Sequence, residues 1–323
     1  MGKSEHNHVT PAGYLQTWAT DERIAMRLVG ETESRLVSVS NAGVRKGFYL
    51  EHDADGTTSD RFEKRLALVE GKLLPVVIGI DDFWPFSPNQ RGAVAEYIAL
   101  QFVRSPAWKA FHGNAVGAAR RNLPPRWDSV PAAVLSAVED DLRTDKQRHR
   151  ALARQQLLIG TMVANMHWTL LICGQPRLAT CDHPVVPLVV ADSSVSAVPP
   201  RGLMNTSEIR FAMSPRHLLV ATWRDEVDGQ PQRKATIDHV RKHNGLVIAQ
   251  AEKQWFHHPN HTISHSAEPW EPIAHSLFSN YDPVRSSRRT YVEQIVVGLI
   301  EQGDKAGRQI ILAEWGTSPD VAA

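Results

Sequence analysis

The order of helix-like and strand-like segments constrains this fold more than any single motif. Residues 60–77 and 91–104 carry apolar side chains at three- and four-residue steps, the period of an amphipathic helix. After residue 167 the pattern changes to short apolar runs separated by Pro, Gly and Ser, which is typical of β-strands. Because helices and strands are grouped rather than alternating, the sequence predicts an α+β fold instead of a doubly wound sheet.

The chain begins with smaller elements. Residues 12–19 are predicted to form a short helix, with Thr10 capping its exposed amides and Pro11 in its first turn. Two short strands, 23–29 and 34–40, are joined by a polar segment that predicts a hairpin turn.

The complete prediction is a helical N-terminal half with a small hairpin, a β-rich central portion and closing helices. Helical periodicity also indicates helices at 130–142, 237–256 and 289–303. A chain of 323 residues is long enough to bury a sizeable core.

Composition argues against several classes of protein. The 36 basic and 35 acidic residues nearly cancel, so net charge does not indicate a nucleic-acid partner. The longest apolar stretches fall short of the roughly 20 residues that a membrane-spanning helix needs, and the N-terminus lacks a secretory signal. Cys173 and Cys181 are too few and too widely spaced to favour a zinc site or a disulfide. We therefore expect a cytoplasmic protein without a membrane partner.

Two glutamates on the helix at 60–77 are candidate metal ligands. Glu63 and Glu70 are about two turns apart, so their carboxylates project from the same side. With His8 or Asp182 they could bind a divalent cation, for which Mg, Mn, Zn and Fe are all compatible. The same spacing is also common on a solvated helix face.

Gln101 and Arg104 share one face of the following helix, at i,i+3 spacing. Arg104 could grip a carboxylate or phosphate with two parallel hydrogen bonds. It could equally pair with Glu63 or Glu70 in a buried structural network.

His8 and Asp182 are candidates for proton transfer or metal binding. His8 could be a general base, a general acid or a ligand, or only a helix-entry residue bonded to backbone. Asp182 follows a predicted strand, where catalytic side chains are often positioned, although Asp before a turn also caps backbone amides.

Four further histidines form the densest cluster in the chain. The run from Gln254 to His265 contains Pro259 and Asn260, which argue against a regular helix bearing metal ligands. A flexible surface loop is the favoured interpretation. The cluster consists of His257, His258, His261 and His265.

The order and spacing of these pieces resemble a bacterial and fungal family, domain of unknown function 4238. The matching residues are His8, Pro11, Tyr14, Leu15, Trp18, Phe48, Tyr49, Glu63, Glu70, Ala99, Leu100, Gln101, Arg104, Pro106, Asp182, Pro184 and Val185. Val9, Ala12 and His183 depart from the usual pattern. The resemblance covers roughly residues 6–257, which predicts one core domain over 1–266 and an extension over 267–323 packed on it.

The resemblance supplies no activity, so the functional hypothesis depends on the residues. The leading hypothesis is a hydrolase, such as a metal-dependent phosphodiesterase or nuclease, acting on a small-molecule or phosphate-containing substrate. His8, Asp182, Arg104 and Gln101 would be catalytic, and His8, Glu63, Glu70 and Asp182 would hold the metal. One alternative is a non-enzymatic ligand-binding or regulatory protein, and another is a metal-dependent enzyme that tailors a small molecule.

Overall fold

A computed structural model defines the fold over most of the first 263 residues. The described residues are 6–49, 51–52, 58–59, 61–105, 152, 156–157, 159–190, 197–198, 208–222 and 229–263. The helices predicted at 130–142 and 289–303, and the extension predicted at 267–323, lie outside these ranges.

The described helices and strands are grouped along the chain, as predicted for an α+β fold. The helices are α1 (Ala12–Gln16), α2 (Arg61–Ile78), α3 (Ile80–Phe83), α4 (Pro88–Val103) and α5 (Ile237–Gln250), with a further helical segment at 159–165. The strands are β1 (His6–His8), β2 (Arg23–Leu28), β3 (Arg35–Ser38), β4 (Val44–Lys46), β5 (Glu51–His52), β6 (Thr58–Ser59), β7 (His167–Ile172), β8 (Ala179–Cys181), β9 (Val185–Val190), β10 (Ala197–Val198), β11 (Glu208–Ala212), β12 (His217–Thr222), β13 (Gln232–Lys234) and β14 (Gln254–His257).

The described strands form two main sheets and two strand pairs. A six-stranded sheet has the order β10-β9-β11-β12-β7-β13, in which β13 is parallel to β7 and the other pairings are antiparallel. A four-stranded antiparallel sheet has the order β3-β2-β14-β8. β1 pairs with β4, and β5 pairs with β6. The α+β prediction and the β2–β3 hairpin are confirmed.

Helix α4 lies at the centre of the molecule. Ser87 caps it in a reciprocal pair with Gln90, and Pro88 occupies its first turn, where no amide hydrogen is needed. Its last two turns, 97–103, are buried on every side, as expected of a largely apolar helix segment. The helix ends at Val103, one residue before the end predicted for the range 91–104. Gln101 and the C-cap residue Arg104 are therefore held within the core.

Helix α1 joins the two main sheets through Tyr14. The Tyr14 hydroxyl donates to the carbonyl of Ala212 at 2.6 Å and accepts from Thr180 at 2.9 Å, and Tyr14 is fully buried. The prediction that Thr10 caps α1 is wrong. Pro11 is the N-cap residue, and the Thr10 hydroxyl instead donates to the carbonyl of Cys181 at 3.5 Å.

The C-terminal part of the predicted helix at 237–256 is a strand. Helix α5 ends at Gln250, and Ala251 is extended, which lets the chain enter the four-stranded sheet between β2 and β8. Trp255 and Phe256 are both buried, one on each face of β14. Burial on both faces favoured the strand over continued helix.

The surface-loop prediction is also wrong for the first histidine of the cluster. His257 lies within β14 and is buried, with Nε2 2.8 Å from the Ser34 hydroxyl. None of the helices in the described ranges is long and apolar enough to cross a membrane.

Candidate functional site

Arg104 connects three elements around the N-terminal strand. Its guanidinium donates to the Glu70 carboxylate, to the Tyr49 hydroxyl at 3.0 Å and to the backbone carbonyl of His8 at 2.5 Å. The Arg104 side chain is only 4% exposed. A buried guanidinium requires such partners, because desolvation of an unpaired charge is costly. The structural network that was one of two interpretations of this residue is therefore present.

Asn7 fixes the same strand to α2. The Asn7 amide donates to the Glu63 carboxylate at 2.5 Å, and its oxygen accepts from the backbone amide of Tyr49 at 3.1 Å. Asn7 is fully buried, so both of its polar atoms use protein partners in place of water. Glu63 thus contacts β1 directly, and Glu70 is connected to it through Arg104.

The His8 ring lies beside this network without joining it. His8 is partly exposed, but its Nε2 atom is buried and has no hydrogen-bond partner among the protein atoms. Burial lowers the His8 pKa below its ordinary value and nearby Arg104 adds to this, while backbone hydrogen bonds at Ser40 and the charge of Glu63 oppose it. The ring is therefore neutral at pH 7, and its Nε2 atom is buried without a protein partner.

Gln101 is a second polar group without a partner. It is 1% exposed, and neither its amide nitrogen nor its amide oxygen has a hydrogen-bond partner in the protein. Gln101 lies one turn before Arg104 on the same face of α4, the face that meets the His8 carbonyl. An unpaired buried amide costs about 1–3 kcal/mol for each unsatisfied atom, so it is usually retained for a bound water or ligand.

Asp182 makes contacts of a different kind. Its carboxylate accepts from the backbone amides of Glu252 at 2.9 Å, Lys253 at 2.8 Å and Gln254 at 3.4 Å. Arg45 lies 3.4 Å away on β4 and also contacts Glu252. Burial raises the Asp182 pKa, and the amides and Arg45 oppose that rise. These contacts hold β8 to the turn between α5 and β14, which favours a structural role for Asp182.

Comparison with known protein families identifies the family to which this chain belongs. The family described as "Protein of unknown function (DUF4238)" matches residues 6–261. The chain belongs to the DUF4238 family. No curated protein and no solved structure matches it at a significant level. The predicted resemblance is therefore confirmed over most of the chain.

The residues that carry the DUF4238 resemblance have two kinds of position in the structure. Tyr14, Leu15 and Trp18 are fully buried and belong to the core. The Trp18 indole nitrogen, His8 Nε2 and both amide atoms of Gln101 are buried without protein partners. Of these residues, only His8 and Gln101 carry an atom that can accept a hydrogen bond, and they form the second kind. The second kind is the better candidate for function, because a purely structural polar residue would be expected to satisfy its hydrogen bonds.

The ligands predicted for a metal do not gather around one point. Glu70 is engaged by Arg104, and Asp182 is engaged by Arg45 and three backbone amides. Across the part of the chain that the structure describes, no three His, Cys, Asp or Glu side chains are arranged to hold one metal ion. This donor set does not fit a resident divalent cation, and a bound metal stays a prediction from the sequence.

Three contributors to the network were absent from the candidate residues proposed from the sequence. Asn7 precedes His8 and reaches Glu63, Arg45 pairs with Asp182, and the Tyr49 hydroxyl accepts from Arg104. The pairing of β1 with β4 places Asn7 opposite Arg45. Tyr49 could have been selected from the sequence, because it is one of the residues that carry the family resemblance.

Asp182→Ala is expected to lower the free energy of unfolding by about 2–4 kcal/mol, because it leaves three amide donors and Arg45 without their acceptor. Urea unfolding at pH 7 measures the change. Glu252→Ala is the control, since its exposed carboxylate contacts the same Arg45 and its loss should cost under about 1 kcal/mol. Equal effects of the two substitutions would contradict the structural role of Asp182.

Proposed function

We propose that this DUF4238 protein is a hydrolase in which His8 is the general base and Gln101 orients the substrate. The observation that carries the proposal is the His8 Nε2 atom, which is buried and unpartnered next to an otherwise satisfied network. A neutral imidazole with a free nitrogen can accept a proton from water at pH 7. In this proposal the same ligand binds the Gln101 amide, whose donor and acceptor groups have no protein partner.

Arg104 and Glu70 act as positioning residues in this proposal. Arg104 binds the His8 carbonyl and so fixes the backbone from which the ring projects. Its pairing with Glu70 holds α2 and α4 together below β1. The role of Arg104 in binding an anionic substrate group stays a prediction, since its guanidinium already has three protein acceptors.

A phosphodiester is the substrate class to test first. It is a phosphate-containing group whose hydrolysis needs a base to activate water, which is the step assigned to His8. Nucleic acid is the larger form of the same substrate class, and the balanced net charge of the chain does not favour it. A small phosphodiester is therefore the more direct probe.

His8→Gln is expected to lower the rate of hydrolysis at least 100-fold, the lower end of what general-base catalysis contributes. The measurement is release of p-nitrophenol from bis(p-nitrophenyl) phosphate, with and without EDTA, which also tests the predicted metal. His6→Gln makes the same exchange two residues away on β1 and is the matched control. It should retain the wild-type rate.

The unfolding free energy of each variant is measured alongside the rate. The proposal expects His8→Gln to unfold within about 1 kcal/mol of wild type, because the His8 contact in the network is made by the backbone carbonyl. A wild-type protein that does not turn over the phosphodiester, or a His8→Gln variant as active as His6→Gln, would reject the proposal.

A non-enzymatic binding or regulatory protein is the second candidate. The observation that favours it is the saturation of Glu70 and Asp182 by protein partners, which leaves few carboxylates for chemistry. The assay separates the two functions. A binding protein has no hydrolytic rate to lose, and its His8→Gln variant differs from wild type only in affinity for its ligand.

A further inference from the structure

A serine, a histidine and a carboxylate lie in line at a second place in the molecule. The Ser214 Oγ atom is 2.9 Å from His217 Nδ1, and His217 Nε2 is 3.1 Å from Asp81 Oδ1. Ser214 and His217 flank the turn between β11 and β12, whereas Asp81 belongs to α3. The fold therefore brings the carboxylate to the hairpin from a distant part of the chain.

The hydrogen-bond pattern defines where the protons lie. The Asp81 carboxylate can only accept a hydrogen bond, so a neutral His217 ring carries its proton on Nε2 and donates it to Asp81 at 3.1 Å. Nδ1 is then an acceptor, and the Ser214 hydroxyl donates to it, while Ser214 Oγ accepts from the backbone amide of Arg216 at 3.1 Å. Hydroxyl, imidazole and carboxylate are thus ordered as in a Ser-His-Asp triad, with the two ring nitrogens exchanged.

The surroundings suit proton transfer from the serine. His217 is 3% exposed, which excludes most water from the ring, while Ser214 is partly exposed and open to a reagent. Burial lowers the His217 pKa, with a further decrease from Arg216 and an opposing increase from Asp81. The ring is therefore neutral at pH 7 and able to accept the hydroxyl proton.

We propose that Ser214 is a nucleophile for activated esters, with His217 as its general base and Asp81 as the residue that positions His217. Ser214 Oγ forms a bond to the carbonyl carbon, and its proton moves to His217 Nδ1. The bond to the leaving alkoxide breaks, and the alkoxide takes the proton from Nδ1. Water then attacks the acyl-serine with the same base and regenerates the hydroxyl. This site is separate from His8 and does not depend on the function proposed there.

A fluorophosphonate probe tests the nucleophile without knowledge of the natural ester. Reaction forms a bond from Ser214 Oγ to phosphorus, breaks the P–F bond, releases fluoride and transfers the hydroxyl proton to His217. Intact-mass analysis and peptide mapping of the full chain report one adduct at Ser214. Ser214→Ala should remove it, and His217→Gln should slow labelling at least 10-fold.

The chain offers a matched control. Ser34 Oγ is also in contact with a histidine, 2.8 Å from His257 Nε2, but His257 Nδ1 faces the backbone carbonyl of His258 at 3.0 Å instead of a carboxylate. Ser34→Ala should therefore leave the labelling of the protein unchanged.

If His217→Gln does not fold, variants of Asp81 still test the proposal. The Asp81 side chain is 77% exposed, so its replacement spares the core. Asp81→Asn is expected to slow labelling several-fold and to change its pH profile, and Asp81→Glu to restore part of the rate. These contacts also close the hairpin turn, and a purely structural role predicts no adduct. Folded wild-type protein that is not labelled, or labelling that persists in Ser214→Ala, overturns the proposal.

Discussion

Replacement of Arg104 by methionine is expected to lower the free energy of unfolding by about 3–5 kcal/mol, the usual cost of removing one partner of a buried ion pair. Methionine fills similar volume, so the loss is electrostatic. The substitution leaves the Glu70 carboxylate, the Tyr49 hydroxyl and the His8 carbonyl without their donor. Urea denaturation followed by tryptophan fluorescence measures the change.

Arg241→Met is the matched control for Arg104→Met. Arg241 also pairs with an acidic residue, Asp238, but the distance is 4.0 Å and the two side chains are 72% and 87% exposed. An exposed pair contributes under about 1 kcal/mol, because water and salt screen it. If Arg104→Met were no more destabilising than Arg241→Met, the network would not hold β1, α2 and α4 together.

Acidification is expected to destabilise the protein through two buried histidines. Burial lowers the pKa of His183 to about 4 and that of His243 to about 3, while an unfolded chain titrates near 6.5. Because the folded pKa values are depressed, the unfolded state binds more protons below pH 6.5. The free energy of unfolding therefore keeps this full contribution above pH 6.5 and falls as pH decreases toward 4. Each histidine lowers the free energy of unfolding by about 3 kcal/mol between pH 6.5 and pH 4, at about 1.4 kcal/mol per pKa unit.

His183→Leu isolates one of these contributions. Both ring nitrogens of His183 lack protein partners, so an apolar side chain should leave the unfolding free energy at pH 7 within about 1 kcal/mol of wild type. At pH 4 the unfolding free energy of the variant, relative to that of wild type, should be about 3 kcal/mol higher than at pH 7. Urea unfolding at both pH values gives the comparison. An unchanged difference would mean that His183 is not held neutral in the fold.

The sequence predicted the parts of the fold that depend on local periodicity. The apolar spacing in 60–77 located α2, and the same spacing in 91–104 located most of α4. The error at 254–257 has a physical origin, because a short apolar run buried on both faces of a sheet has the same hydrophobicity as a helix end. Only pairing with β2 and β8 distinguishes the two, and that pairing joins residues distant in sequence.

The sequence proposed candidate residues for the site but did not decide their roles. Helical spacing placed Gln101 and Arg104 on one face of α4, and it placed Glu63 and Glu70 on one face of α2. It left the Arg104–Glu70 pairing as one of two interpretations and did not reveal that Asp182 would bind a turn 70 residues later, since each contact depends on tertiary packing. The distinction between satisfied and unsatisfied polar atoms exists only in the folded molecule.

The protonation of His8 is the central claim, because the proposed base must be neutral with a free nitrogen when it meets water. A pH titration of the ring 15N and 13C signals of His8, assigned by comparison with His8→Gln, measures it directly. The account predicts a titration midpoint below 6.5, the direction that burial imposes. A midpoint at or above 6.5 would mean that solvent or Glu63 controls the ring, and would contradict the role of His8 as an unpartnered base.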